Sequence, residues 1–276
     1  MAPISGQPIA DVRPIDVLAA LKRLEAKCKF ETGRRCRSFA GRVFRYAAAT
    51  GRAEADPTSL FRGALITPKV RHHSAILDPG AVGELPRSMD AYSGYLITRI
   101  AMNISPRLMA RPPEIRQAQW SEFDVDEAGW KIPAERMKMR RAHAVPLPRQ
   151  VLTCLAEFRT LTGDDGFVFP AFHTSRRPLC ENTINQTFRR MGYAVGEPTA
   201  HGLRTTASTL LNESGKWSPD AIERPLAHTD KDAIHGTYNL GAYWDERVAM
   251  HQWWSDHLDE LRAGPVSSAK VGCPSS

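Results

Sequence analysis

The 276-residue chain has only 5 cysteines, Cys28, Cys36, Cys154, Cys180 and Cys273, scattered and without a C-x-x-C pair. That excludes a disulfide framework and a zinc knuckle, and it fits thiols kept in a reducing compartment. No apolar run approaches the length of a membrane span. The opening M-A-P-I-S-G-Q-P-I-A-D has neither the basic nor the apolar stretch of a secretion signal. There is no cluster of carboxylates to hold Mg²⁺ and no G-x-x-x-x-G-K-[ST] loop to cradle a nucleotide. The expectation is a cytoplasmic protein with no metal, no cofactor, no membrane and no small-molecule substrate.

Positive charge is what the chain has in excess, and it is unevenly spread. Residues 1–90 hold 15 Lys/Arg against 9 Asp/Glu, whereas residues 91–276 hold 22 against 21. A basic first third suits a polyanion, because Lys and Arg displace counterions from a phosphate backbone. Charge alone leaves a plainly solvated basic surface equally open.

Periodicity predicts a mainly helical chain with one small antiparallel sheet, an α+β class. Residues 14–50 read as two helices, the first with an apolar stripe of Ile15, Leu18, Leu21 and Leu24. The second sets Phe39, Val43, Phe44 and Ala47 against Arg34, Arg35 and Arg42, and Gly51 is placed to stop it. A Pro-, Gly- and Ser-containing connector over 52–77 carries Lys69 and Arg71 beside His72-His73. A helix opens at Asp78-Pro79, and another apolar helical stretch covers 93–109. Residues 120–147 predict three short strands, with a basic tip R-M-K-M-R-R that includes Lys138 and Arg140. Helices follow over 149–163 and 181–193, where Asn182, Asn185, Gln186, Arg189 and Arg190 are candidates for DNA contact or for ordinary surface. After residue 240 comes an amphipathic helix with Met250, Trp253, Trp254, Leu258 and Leu261 at helical spacing. The resulting division is 1–66 as a first helical domain, 67–77 as linker, 78–263 as a second domain and 264–276 as a frayed tail.

The stretch His201–Tyr238 carries the chemistry. His201 and Arg204 are three apart, neighbours on one helical turn. His228 follows in L-A-H, and Tyr238 in T-Y-N. Such a set suits a phosphodiester. Guanidinium clamps non-bridging oxygens, imidazole moves or donates a proton, and a phenolic oxygen attacks phosphorus.

H-G-L-R-T-T-A-S-T-L-L-N-E-S-G, then I-E-R-P-L-A-H and T-Y-N, resembles the second half of the tyrosine recombinase (phage integrase) family, in its prophage and genomic-island branch. Arg111-Pro112-Pro113-Glu114-Ile115 resembles that family's first arginine box. The resemblance runs from about residue 14 to residue 262. It implies a tyrosine-recombinase catalytic domain over 78–263, preceded by part of a helical core-binding domain. It assigns Arg111, Lys138, His201, Arg204, His228 and Tyr238 as catalytic, with Glu114 bracing the first arginine. It also implies double-stranded DNA as partner, contacted through Arg34, Arg35, Arg42, Lys69, Arg71 and Arg140, and a homotetramer assembled on DNA.

Several alternatives stay open on the sequence alone. Lys131 competes with Lys138, and Tyr243 with Tyr238. The last helix either docks on a neighbouring protomer or packs on its own domain. Pro113 stands where the family has glycine, Pro86 and Pro225 fall within expected helices, and Arg107 interrupts an apolar run. Because the resemblance starts part-way into the family's pattern, the chain is read as lacking an N-terminal portion. A DNA breaking-and-rejoining enzyme and a catalytically silent DNA-binding remnant are therefore both carried forward.

Overall fold

The computed structural model describes residues 6–67, 75–137, 140–194, 198–226 and 243–264. The chain forms two compact units, 1–72 and 73–276.

In the first unit, α1 (Pro14–Ala26) and α2 (Phe30–Ala49) enclose a short 3-10 turn at Pro57–Phe61. Its core is Val12, Val17, Leu21, Phe44 and Phe61. The expected stripe on α1 is rotated: Val17 and Leu21 point inward, while Ile15 is 54% exposed. Glu25 continues the inward line because its carboxylate accepts the Ile66 amide at 2.5 Å and Lys22 Nζ at 2.7 Å. On α2, Phe44 and Ala47 are buried as expected, but Phe39 and Val43 are exposed. The inward line there uses small residues. A Cβ on Gly41 would sit 2.6 Å from Thr58 Oγ1, so the close crossing selects glycine where periodicity looks for bulk. Gly51 does end the helix. It takes φ +69°, its amide bonds the Ala48 carbonyl at 3.1 Å, and the Arg52 amide bonds the Ala47 carbonyl at 2.8 Å.

The second unit opens with α3 (Pro79–Ala91), whose N-cap Asp78 accepts the Ala81 amide at 2.8 Å, as its sequence predicts. Next come α4 (Leu96–Leu108), α5 (Pro112–Arg116) and the sheet β1 (Phe123–Asp124), β2 (Gly129–Ile132) and β3 (His143–Pro146), antiparallel in the order β1-β2-β3. Then follow α6 (Arg149–Thr162), the hairpin β4 (Pro170–Ala171) and β5 (Thr174–Pro178), α7 (Thr183–Arg190), α8 (Ala200–Ser214), α9 (Pro219–Glu223) and α10 (Trp244–Ala263). The mainly helical class with a small antiparallel sheet is thus observed. The β4–β5 hairpin was not expected, because T-S-R-R-P exposes its middle residues and shows no apolar alternation.

One apolar cluster gathers Trp130, Val145, Phe158, Phe169 and Phe188; another gathers Met109, Leu211, Met250, Trp254 and Leu258. The second seats α10 on its own unit. Trp254 Nε1 donates to the Pro106 carbonyl at 2.8 Å, and Arg107 donates to the Ser255 carbonyl at 2.8 Å and to Asp259 at 2.6 Å. Arg107 therefore interrupts the apolar run in order to hold the last helix. Against α3, the approach is so close that a Cβ on Gly83 would collide with the Leu261 carbonyl. Arg87 Nη1 reaches the Leu261 and Arg262 carbonyls at 3.1 and 2.9 Å, satisfying end-of-helix acceptors of α10. Of the questioned prolines, Pro86 does lie inside α3. Pro113 takes the second position of α5, where a missing amide costs no helix bond. Pro225 lies past the end of α9, in a turn, so the expectation of a helix there is corrected.

Candidate active site

Arg111 occupies the position just before α5. Its amide donates to Glu114 Oε2 at 2.7 Å and its Nη1 to Glu114 Oε1 at 2.9 Å, so one buried carboxylate fixes both ends of the residue. Arg204 sits on α8, which begins where Thr199 Oγ1 accepts the Gly202 amide at 2.9 Å. Asn185 Oδ1 accepts the Ala200 amide at 3.0 Å and so secures the start of α8.

Arg111 and Arg204, 93 positions apart in the chain, meet at one atom. Arg111 Nη2 donates to the Leu226 carbonyl at 3.3 Å, and Arg204 Nη2 donates to the same oxygen. Arg204 is buried, and burial followed by the nearby Arg111 charge lowers its pKa to about 10. Its Nη1 is buried without a hydrogen-bond partner among the described residues. Two guanidinium forks on one oxygen, with a donor to spare, can grip an oxyanion. His201 lies one turn before Arg204 at the exposed start of α8.

The floor of this site is braced from the sheet. Arg136, the first residue of the basic tip R-M-K-M-R-R, is largely buried. It donates to the Glu122 carboxylate and, at 2.5 Å, to the Glu114 carbonyl. Glu122 also accepts Trp130 Nε1 at 3.0 Å. The arginine's burial left no local mark because its carboxylate partner stands 14 positions earlier, beyond any local pattern.

Lys138, His228, Tyr238, Lys69 and Arg71 lie outside the described residues. Lys131, the alternative lysine, is exposed and pairs with Asp124 at 3.0 Å. Tyr243, the alternative nucleophile, donates its hydroxyl to Asp220 at 3.1 Å, and that carboxylate raises the phenol's pKa. Arg140 is exposed, with φ +52°. Arg34 and Arg35 are exposed and share Glu31, while Arg42 stands over the Phe39 ring at 5.9 Å.

Two groups escaped the sequence reading, the buried Arg247 and the half-buried His143. Arg247 of α10 donates to the Ala144 carbonyl of β3, and burial, then the Arg224 charge, lowers its pKa to about 10. His143 opens β3. A signal for each existed: Arg247 falls one turn before Met250 on the buried line, and His143 shares the inward parity of Val145.

Residues 77–242 match the Phage integrase family, and residues 1–64 match the Phage integrase central domain. The chain is 36% identical over 278 residues to an integrase of Enterobacteria phage P4, covering 96% of this chain and 63% of that protein. It is 34% identical over 258 residues to the prophage integrase IntA of Escherichia coli K12, covering 94% and 62%. It thus spans a little under two thirds of both relatives. Among solved structures, a lambda integrase dimer bound to a COC′ core site aligns with TM-score 0.63 at 19% identity, over 96% of this chain and 86% of that one. A lambda integrase tetramer bound to a Holliday junction aligns with TM-score 0.63 at 20% identity, over 82% and 66%. These last two likenesses speak to the fold.

Proposed function

The chain belongs to the Phage integrase family, and on that premise we propose that it is a site-specific DNA recombinase working through a 3′-phosphotyrosine. The convergence of Arg111 and Arg204 on one oxygen is the observation that carries this reading. In the reaction, a non-bridging phosphate oxygen takes the place of the Leu226 carbonyl between the two forks. The Tyr238 oxygen attacks phosphorus, the P–O5′ bond breaks, and Lys138 gives the leaving oxygen its proton. His201 assists loss of the phenolic proton, and His228 donates to the phosphate. Charge accumulates on the equatorial oxygens in the transition state, where two fixed guanidiniums stabilise it most. The bond energy stays in the phosphotyrosine, so a 5′-hydroxyl from a partner strand reverses the step without a nucleotide cofactor. Exchange between two duplexes takes four such cuts, hence four copies on DNA.

Tyr238 is preferred to Tyr243 because a carboxylate beside the Tyr243 hydroxyl disfavours phenolate. The basic α2 contributes Arg34, Arg35 and Arg42 to backbone contacts, with Lys69, Arg71 and Arg140 on the same duplex.

The test uses a pool of duplexes of randomised sequence, each nicked so that the cut product diffuses away. The expected result is an SDS-resistant protein–DNA adduct that Tyr238→Phe abolishes and Tyr243→Phe retains. Retention of DNA binding with no adduct would overturn the reading and leave a DNA-binding module.

A further inference from the structure

An imidazole within the electrostatic reach of the arginine pair has no work in the mechanism. His143 lies directly across the sheet from Ile132, on the face of β3 that carries Val145 opposite Trp130. Ile132, Val145 and Trp130 are all within 1% of full burial, so this is the inner face of the sheet. His143 continues that face at the strand's open end. Its backbone is fixed on both sides: β2 pairs with it, and Arg247 holds the carbonyl of the next residue, Ala144.

The His143 ring is shut in at one atom. Nε2 is buried and has no hydrogen-bond partner among the described residues. A buried polar nitrogen left unmatched is uncommon, because desolvation without a partner is costly. The permanent charges acting on it are those of arginines. Burial first, then Arg247, Arg204, His251 and Arg111, lower its pKa to about 3, so the ring is neutral at ordinary pH. Arg204 Nη1 is likewise buried and unmatched. Two orphaned nitrogens on separate elements, among guanidiniums, lack the same thing: an anionic acceptor. A neutral imidazole can carry its proton on Nε2, and an anion drawn in by the surrounding guanidiniums would favour that tautomer by accepting it.

Accepting that the arginine pair seats a phosphate, we propose that His143 is a further phosphate-binding residue, donating Nε2–H to a non-bridging oxygen of the anion held by Arg111 and Arg204. Its place on a paired strand makes it a rigid donor, in contrast to a long side chain that must be ordered on binding. Being uncharged, it adds a hydrogen bond without adding to the repulsion among three nearby arginines. It also ties the sheet to the anion, so that the strand following the basic tip registers whether the seat is filled.

The experiment is ¹⁵N NMR of the full chain, labelled at histidine and arginine and titrated with inorganic phosphate. The proposal expects the His143 Nε2 signal to move with the Arg111 and Arg204 guanidinium signals, along one binding curve. His143→Leu should weaken phosphate binding and slow adduct formation by roughly ten- to a hundredfold, the loss of one hydrogen bond to a charged group. His143→Gln, which keeps an N–H donor, should recover most of both, with Tm unchanged. Guanidinium signals that respond while His143 stays still would overturn this proposal and leave the recombinase reading intact. If none of the three responds, the anion seat is absent, and both fall together.

Discussion

Two sets of arginines in this molecule use the same side chain for opposite ends. On α2, Arg34 and Arg35 are 66% and 79% exposed and share one carboxylate, Glu31. Around α5, α8 and α10, Arg111, Arg204 and Arg247 are mostly withdrawn from water and tied to main-chain carbonyls. An exposed guanidinium in a loose i,i+3 pair gains little from its partner and stays free to follow a phosphate chain. A buried one has already lost its hydration on folding, so an arriving anion meets a fixed donor in a medium of low dielectric. The first arrangement suits a long, uniform polyanion. The second suits a single phosphate at a single place.

That contrast can be broken by experiment, and the largest effect falls on the buried set. Arg204→Ala should reduce the rate of SDS-resistant adduct formation by about 10²–10³-fold, the usual loss for one oxyanion donor. An Arg42→Ala variant with an equal loss at saturating protein would erase the distinction. Next in size is the packing that keeps the buried set in place. Gly83→Ala should lower unfolding free energy by roughly 1–3 kcal/mol, because the new methyl meets the Leu261 carbonyl. Chemical denaturation measures this, and an unchanged midpoint would show that α3 and α10 can separate freely.

Acid should loosen the second unit before it touches the first. His251 is completely buried, and burial above all depresses its pKa to about 3, against a backbone bond to Arg247 that raises it. The unfolded chain binds the extra proton below about pH 6.5, so stability falls as pH drops from there toward 3, by at most about 1.4 kcal/mol per unit for this group. His251→Leu should flatten that slope in Tm measured between pH 6.5 and 4; a parallel slope would remove His251 as its source. Smaller again is the effect on α2. Arg34→Ala, Arg35→Ala and Arg42→Ala should each reduce the salt dependence of DNA binding, log K against log salt, by about one unit of slope, with the adduct yield at saturation unchanged. The smallest effect is at Glu31, whose bonds to Arg34 and then Arg35 hold its carboxyl at about 2. The pairing is complete above the ordinary carboxylate range and is lost only as pH falls through about 2. Because Glu31 is about half exposed and its arginine partners more so, Glu31→Gln should leave Tm where it was.

Much of the architecture was legible in the sequence because local signals and packing agree. Asp78-Pro79 caps a helix, Gly51 ends one, and Met250, Trp254 and Leu258 line another. Legibility failed where distant partners decide. Phe39 and Val43 are exposed because α2 turns its small residues to the tight crossing at Gly41. The burial of Arg136 and Arg247 left no local mark because their acceptors, Glu122 and Ala144, lie far along the chain. At the candidate site, the family words named Arg111, Glu114 and Arg204. No spacing rule could name the Leu226 carbonyl on which the two arginines meet, since main-chain atoms leave no trace in composition. His143 went unremarked for the opposite reason. It sits in a strand of apolar alternation, where one imidazole looks like an interruption.

Pro106 and Arg107 stand just upstream of Arg111, and both are gripped by α10 through Trp254, Ser255 and Asp259. The far end of the polypeptide thus serves as ballast for the first arginine. Anything that lifts this ballast, whether heat, a clipped carboxyl end or a competing helix, would loosen the arginine pair from behind without touching either guanidinium.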